Sequence, residues 1–225
     1  MSHRAFFLAI EGIDGSGKGT QSARLCERLR QAGKSVSLFS FPRYSETFFG
    51  RLVGEFLNGA YGTLDQVHPQ LVSLLFAGDR FESRGLLQQA LETQDVVVCD
   101  RYVPSNVAHQ ASKRNGAERT ELSHRILQIE YEVFGLPRPD LVLLLDMPAE
   151  RAQQLVAKKA ARTYTTQAAD IQEADGGYLK GVREVYLELA RSEPNWHVVS
   201  GCRDDEIRSL DEIGSDVWQM VSNRI

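Results

Sequence analysis

The segment GIDGSGKGT, Gly12 to Thr20, sets four glycines around Lys18 and ends on a hydroxyl. Gly12, four residues, Gly17 and Lys18 have the spacing of a phosphate-binding loop. In such a loop glycines let backbone N–H groups approach phosphate oxygens, and the lysine reaches the outer phosphates. Gly12, Ile13, Asp14, Gly15, Ser16, Gly17, Lys18, Gly19 and Thr20 are therefore the candidate polyphosphate cradle. The pattern wants Ser or Thr directly after the lysine, but Gly19 stands there and Thr20 comes one step later. The hydroxyl that would meet Mg2+ is displaced, or makes its contact through water. An ordinary glycine turn would read similarly, so the flanks decide. Ala5 to Ile10 is an apolar run of strand length; Leu25, Cys26, Leu29 and Ala32 recur at helical spacing until Gly33. Strand, loop and helix stand in the order the motif requires.

VVVCDRY ends a second apolar run with Asp100, Arg101 and Tyr102. Ligands of parallel sheets collect at the carboxyl ends of strands, so this acid and this arginine face the same edge as the loop. A structural Asp–Arg pair is the alternative. Asp100 is a candidate for orienting magnesium waters, with Asp14 and Thr20 the other candidate metal ligands, and Arg101 for clamping a phosphate. In SFPRYSETFFGR, Pro42 halts a strand and presents Arg43 and Tyr44 at that edge. Arg43 reads equally as a solvated charge, and Arg51 more so. In LLFAGDRFE, Phe76 and Arg80 stand four apart on one helical face. They suit a planar heterocycle, stacked on the ring and bonded to the guanidinium, but also suit a core phenylalanine with an arginine at its rim.

The elements that must position these residues are legible. Strands are expected at Phe6–Ile10, Val36–Phe41, Val96–Cys99, Leu141–Leu145 and Trp196–Val199. Helices are expected at Gln21–Ala32, Phe48–Leu57, Gln70–Thr93, Thr120–Phe134, Ala149–Lys159, Tyr178–Arg191 and Asp205–Asn223. That alternation predicts an α/β fold, a parallel sheet with helices on both faces. Ala160 to Gly177 has almost no apolar face and reads as a mobile flap. The 225 residues carry no linker-like tract, so one domain is expected over 1–225. A net charge of −4 argues against a general nucleic-acid or membrane-surface binder. Cys26, Cys99 and Cys202 have no metal-like spacing and are expected as buried, reduced thiols. No apolar stretch approaches membrane-spanning length, and the apolar N-terminal run leads straight into the loop rather than to a cleavable signal. A cytoplasmic setting is expected.

EGIDGSGKGTQ, FPRY, LLFAGDRFE, DRYVPSNVAHQASK and a polar flap before YLELA come in the order and spacing of thymidylate kinase. The chain resembles that family from about Phe6 to Val199, and its GKGT ending is also seen in adenylate-kinase-like enzymes. The resemblance implies a five-stranded parallel sheet of the P-loop nucleoside monophosphate kinase type, flanked by helices, with a flexible lid at about 158–177 and a homodimeric state. It implies transfer of the γ-phosphate of ATP to dTMP with Mg2+, in dTTP synthesis. By resemblance the catalytic residues are Lys18, Arg101, Asp14 and a lid cation, Arg162 first and Lys158 or Lys159 as alternatives. The dTMP site would comprise Asp14, Phe41, Arg43, Tyr44, Phe76, Arg80, Arg101, Ser105, Asn106 and His109. Within it Asp14 would face the sugar 3′-hydroxyl, Phe76 stack on thymine, Arg80 donate to a thymine carbonyl, and Asn106 read the base edge. His109 stands where members often place an aromatic residue near the sugar 2′ carbon. Many members have arginine two residues after the FP proline, where this chain has Tyr44. A nucleotide switch of the GTP-binding kind is disfavoured, because the chain has no Asn-Lys-x-Asp segment to read guanine.

Overall fold

Three runs of aliphatic residues make the centre of the molecule, since strands buried on both faces need no polar alternation. They are β1 (Phe6–Glu11), β3 (Val96–Asp100) and β4 (Leu141–Asp146). β2 (Val36–Ser40) and β5 (Trp196–Ser200) complete a five-stranded sheet in the order β2-β3-β1-β4-β5, every pair parallel. The chain is seen in a computed structural model that describes residues 4–63, 66–157 and 176–225.

Register decides where function collects. Ile10 and Ser40 both lie opposite Asp100, so β1, β2 and β3 end level and their outgoing loops leave one edge together. Successive residues point to opposite faces. Phe7, Ala9, Val97 and Cys99 pack under α4 (Arg84–Thr93), α5 (Val103–Ala111), α6 (Gly116–Leu127) and α8 (Gly176–Ser192). Leu8, Ile10, Val96 and Val98 pack under α1 (Lys18–Gln31) and α9 (Leu210–Ser222). α2 (Phe48–Leu57) and α3 (Pro69–Glu82) share a smaller cluster of Val53, Phe56, Leu57 and Val72. α7 (Ala149–Ala157) follows β4, and β6 (Cys202–Arg203) with β7 (Glu206–Ile207) forms a short hairpin before α9. Among the described residues no helix is long and apolar enough to cross a membrane.

The expected helix Gln70–Thr93 is two helices, α3 and α4, meeting at Ser83. Ser83 Oγ donates to Asp79 O at 3.0 Å and accepts from Arg43 Nη1 at 3.1 Å, a side chain competing with the ladder at the break. α5 was not expected at all. Each of its nine residues is buried, so no polar stripe marks its period, although Pro104 in its first turn is a helix-start signal. The helix expected from Thr120 begins at Gly116 and passes at Gln128–Val133 into a π-helical turn. The last helix begins at Leu210 rather than Asp205, because the β6–β7 hairpin occupies the intervening residues. Cys26 and Cys99 are buried free thiols as expected, whereas Cys202, in the hairpin, is only partly buried. The expected flap lies outside the described residues over 158–175, and its end at Gly176–Gly177 belongs to α8.

Candidate active site

Gly17 caps α1 in the left-handed conformation, with φ of 88°, and no side chain competes for the first N–H groups. Those groups and the positive end of the helix dipole stand where the spacing predicts an anion site. At Gly15 a Cβ would sit 2.2 Å from Ala152 O, so the loop lies directly on the backbone of α7. At Gly19 a Cβ would sit 3.0 Å from Asp100 Oδ2. The carboxylate that ends β3 therefore stands over the position after the lysine. Ile13 and Ser16 are buried inside the loop, and Thr20 is exposed on α1.

Lys18 is buried, donates through Nζ to Ile13 O at 3.1 Å, and lies 3.6 Å from Asp14 Oδ1. Arg101 Nη2 donates to the same Oδ1 at 2.6 Å. One carboxylate therefore lies between the loop lysine and the strand-end arginine. Burial opposes the charge of Asp14, but Arg101 and Lys18 hold its carboxyl well below the usual range. Arg101 adopts φ of 65°, costly for a side chain with a Cβ, and the conformation is held by its contacts. Its Nη1 donates to Ser105 Oγ at 3.2 Å, to Gly12 O at 3.4 Å and to His109 Nε2 at 3.3 Å. Because the guanidinium only donates, His109 accepts on Nε2 and carries its proton on Nδ1, 2.9 Å from Tyr178 Oη. Burial and the Arg101 charge keep His109 neutral, well below its ordinary pKa.

Sequence reasoning missed Glu11, the acid at the end of an apolar strand. It is fully buried and accepts from Tyr102 N–H at 2.7 Å, Ser105 Oγ at 2.6 Å and Tyr186 Oη at 2.9 Å. These donors come from the start of α5 and from α8, so Glu11 ties both helices to the loop. Burial raises its pKa, and the bond from Ser105 works the other way.

On the other side of Arg101, Arg43 N–H donates to buried Asp79 Oδ2 at 3.0 Å, which fixes the turn after β2. The Arg43 side chain is not simply solvated: it pairs with Glu46 and reaches Ser83. Arg51, by contrast, is exposed as expected of a surface charge. Tyr44 rests against the α2–α3 cluster, as does half-buried Phe76. Phe41, expected at the nucleotide, packs into the core against Tyr102. Arg80 does not sit at a rim; it is 2% exposed and bonded to Glu130 on the π-helical turn, and Asn106 is bonded to the same carboxylate. Glu130 was also missed, since no local pattern links it to α3. Lys158, Lys159 and Arg162, the expected lid cations, lie outside the described residues.

No cluster of three or more metal-ligating side chains occurs among the described residues. The single carboxylate of Asp100 beside the loop fits Mg2+, which takes one or two carboxylates together with substrate phosphates and water rather than a protein cage. Of the expected ligands, Asp100 overhangs the first turn of α1, Thr20 is exposed on that turn, and Asp14 Oδ1 is taken up by Arg101.

The profile described as thymidylate kinase matches residues 10–208. The chain is 34% identical over 226 residues to the thymidylate kinase of Deinococcus radiodurans, covering 98% of each. It is 35% identical over 183 residues to that of Mycobacterium tuberculosis, covering 81% of this chain and 85% of the relative. A solved thymidylate kinase from Candida albicans superposes with a TM-score of 0.75 at 24% identity, over 98% of this chain and 92% of that one, a likeness of fold.

Proposed function

Because the chain belongs to the thymidylate kinase family, whose members convert dTMP to dTDP with ATP as donor, we propose how its residues divide that transfer. Phosphoryl transfer passes through a loose transition state, so the protein's work is alignment and charge neutralisation. The acceptor is already an anion and needs no general base. Lys18 and the loop N–H groups hold the β- and γ-phosphates of ATP. Arg101 meets the phosphate of dTMP, with Arg43 and Tyr44 closing that side. Asp14 holds the two cations at one point and faces the sugar hydroxyl. Phe76, Arg80 and Asn106 take the thymine, and neutral His109, held by Arg101 and Tyr178, borders the sugar with Ser105. Bound Mg2+ would neutralise charge on the donor phosphates, with Asp100 and Thr20 holding it through water.

The observation that supports this division is the placement of Asp14 Oδ1, 3.6 Å from Lys18 Nζ and 2.6 Å from Arg101 Nη2. Donor-side and acceptor-side cations thereby converge where the γ-phosphate must cross. The test is ADP release with dTMP, dUMP, UMP, dGMP and AMP as acceptors. The expected kcat/KM for dTMP exceeds that for AMP or dGMP by about a thousandfold or more, since a site built for one base leaves polar groups unpaired with another. Equal use of AMP would overturn the reading.

The loop supplies only Lys18 as a cation, so a second donor-side charge is assigned to Arg162, whose guanidinium bridges two oxygens where a lysine offers a point charge. Arg162→Ala is expected to lower kcat about tenfold or more with dTMP binding unchanged. A loss in Lys158→Ala or Lys159→Ala instead moves the role, and normal turnover in all three removes it. A single-domain homodimer in the cytoplasm completes the proposal. Exposed Leu71, Leu74 and Phe81 form a stripe along α3 suited to a second copy, and sedimentation at twice the 25.2 kDa chain mass is expected.

A further inference from the structure

Arg80 and Asn106 come from different helices, yet one carboxylate holds both. Glu130, with no exposed surface, accepts from Arg80 Nε at 2.5 Å and Nη2 at 2.7 Å, and from Asn106 Nδ2 at 2.8 Å. The other Asn106 Nδ2 proton goes to Ser73 O at 2.9 Å. Two acceptors on Nδ2 fix the orientation of the amide, and among the described residues its Oδ1 is buried with no hydrogen-bond partner. On Arg80 the pair engages Nε and Nη2, which leaves Nη1 to meet a ligand. The π-helical turn brings Glu130 to this point: Phe134 N–H bonds back to Ile129 O at 2.8 Å and Leu136 N–H to Glu130 O at 3.0 Å. Such turns recur at functional sites.

We propose that Glu130 is the positioning residue that sets base specificity. It presents the Arg80 guanidinium as donor and leaves the Asn106 carbonyl oxygen as the unpaired acceptor. A ring with a C=O beside an N–H, the thymine or uracil pattern, completes both bonds. An amino group beside a bare ring nitrogen, the cytosine pattern, meets donor with donor and acceptor with acceptor. A buried ion pair is a poor source of stability by itself, and holding one arrangement of polar groups is a use that such pairs serve. The inference rests on the proposed reading that Arg80 and Asn106 face the base, and it deepens that reading.

Glu130→Gln keeps the shape but removes the charge and adds a donor. Whichever way the new amide turns, its N–H group faces an N–H of Arg80, so the two-point hold on the guanidinium is lost. The acceptors to compare are dTMP and 5-methyl-dCMP, which share methyl group and sugar but differ in that edge. The ratio of their kcat/KM values is expected to fall about tenfold or more, through a higher KM for dTMP, with KM for ATP within about twofold of the parent. A purely structural role would lower both acceptors together, and an unchanged ratio in folded Glu130→Gln overturns the proposal. Should that variant not fold, side-chain NMR of the parent enzyme decides: Asn106 Nδ2 protons protected from exchange are expected, and rapidly exchanging ones overturn the proposal. A parent enzyme that uses both nucleotides equally would overturn the base-facing reading, and the proposal with it.

Discussion

Lys18→Ala is expected to lower kcat about a hundredfold or more, the size of losing one preorganised charge contact at a transition state. The lysine is well suited to that contact. Its stem is buried and its Nζ is held by Ile13 O, within reach of Asp14, so little reorganisation remains when the γ-phosphate arrives. The fold should survive. The backbone of α1 is capped by Gly17 without help from the Lys18 side chain, and the Asp14 carboxylate keeps its closer partner, Arg101. Steady-state turnover and a thermal melt of the same sample separate the two effects. Near-normal turnover in a folded variant would remove the loop lysine from the mechanism.

Arg101→Ala is expected to cost about a hundredfold to a thousandfold in kcat/KM for dTMP, with KM for ATP nearly unchanged. Arg101 holds four groups at once: Asp14, Ser105, His109 and the carbonyl of Gly12. Its loss removes the acceptor-side charge and loosens the carboxylate that positions Lys18. Alanine accepts φ of 65° no more readily than arginine does, so the change in backbone strain is small. Arg101→Lys should recover only a small part, because an ammonium group cannot reproduce a fork that reaches several acceptors in one plane. Titration of dTMP in the absence of ATP, alongside the kinetics, checks the assignment. Loss on the ATP side with dTMP affinity intact would transfer Arg101 to the donor phosphates.

These two residues were visible in the sequence because their chemistry is written over short distances along the chain. Gly12, Gly17 and Lys18 fall within one loop, and Asp100 and Arg101 follow a run of three valines and Cys99. The strands and most of the helices were equally plain, since burial on two faces or on one face leaves a continuous or periodic apolar pattern. Where burial was complete around a helix the pattern disappeared, and α5 went unnoticed although Ser105, Asn106 and His109 all stand on it. Ser83 shows the opposite failure, an apolar period that runs on through a break made by side-chain bonds.

The partners of the site residues belong to the tertiary structure alone. Glu130 is 50 residues from Arg80 and 24 from Asn106, and Glu11 reaches Ser105 across 94 residues and Tyr186 across 175. No propensity or spacing rule connects such pairs; β3 and α5 bring them together only when the sheet closes in its order β2-β3-β1-β4-β5. Even Gly19, read in the sequence as a departure from a motif, stands against a residue of another strand, the Asp100 carboxylate, which a Cβ there would meet at 3.0 Å. The sequence by itself determined which groups are candidates for the chemistry, because local backbone geometry and residue type suffice to mark a phosphate loop. The fold decided which of those groups are held, by what, and in which orientation. A buried polar side chain takes its direction from whichever distant donor or acceptor satisfies it, and that partner exists only in the folded chain.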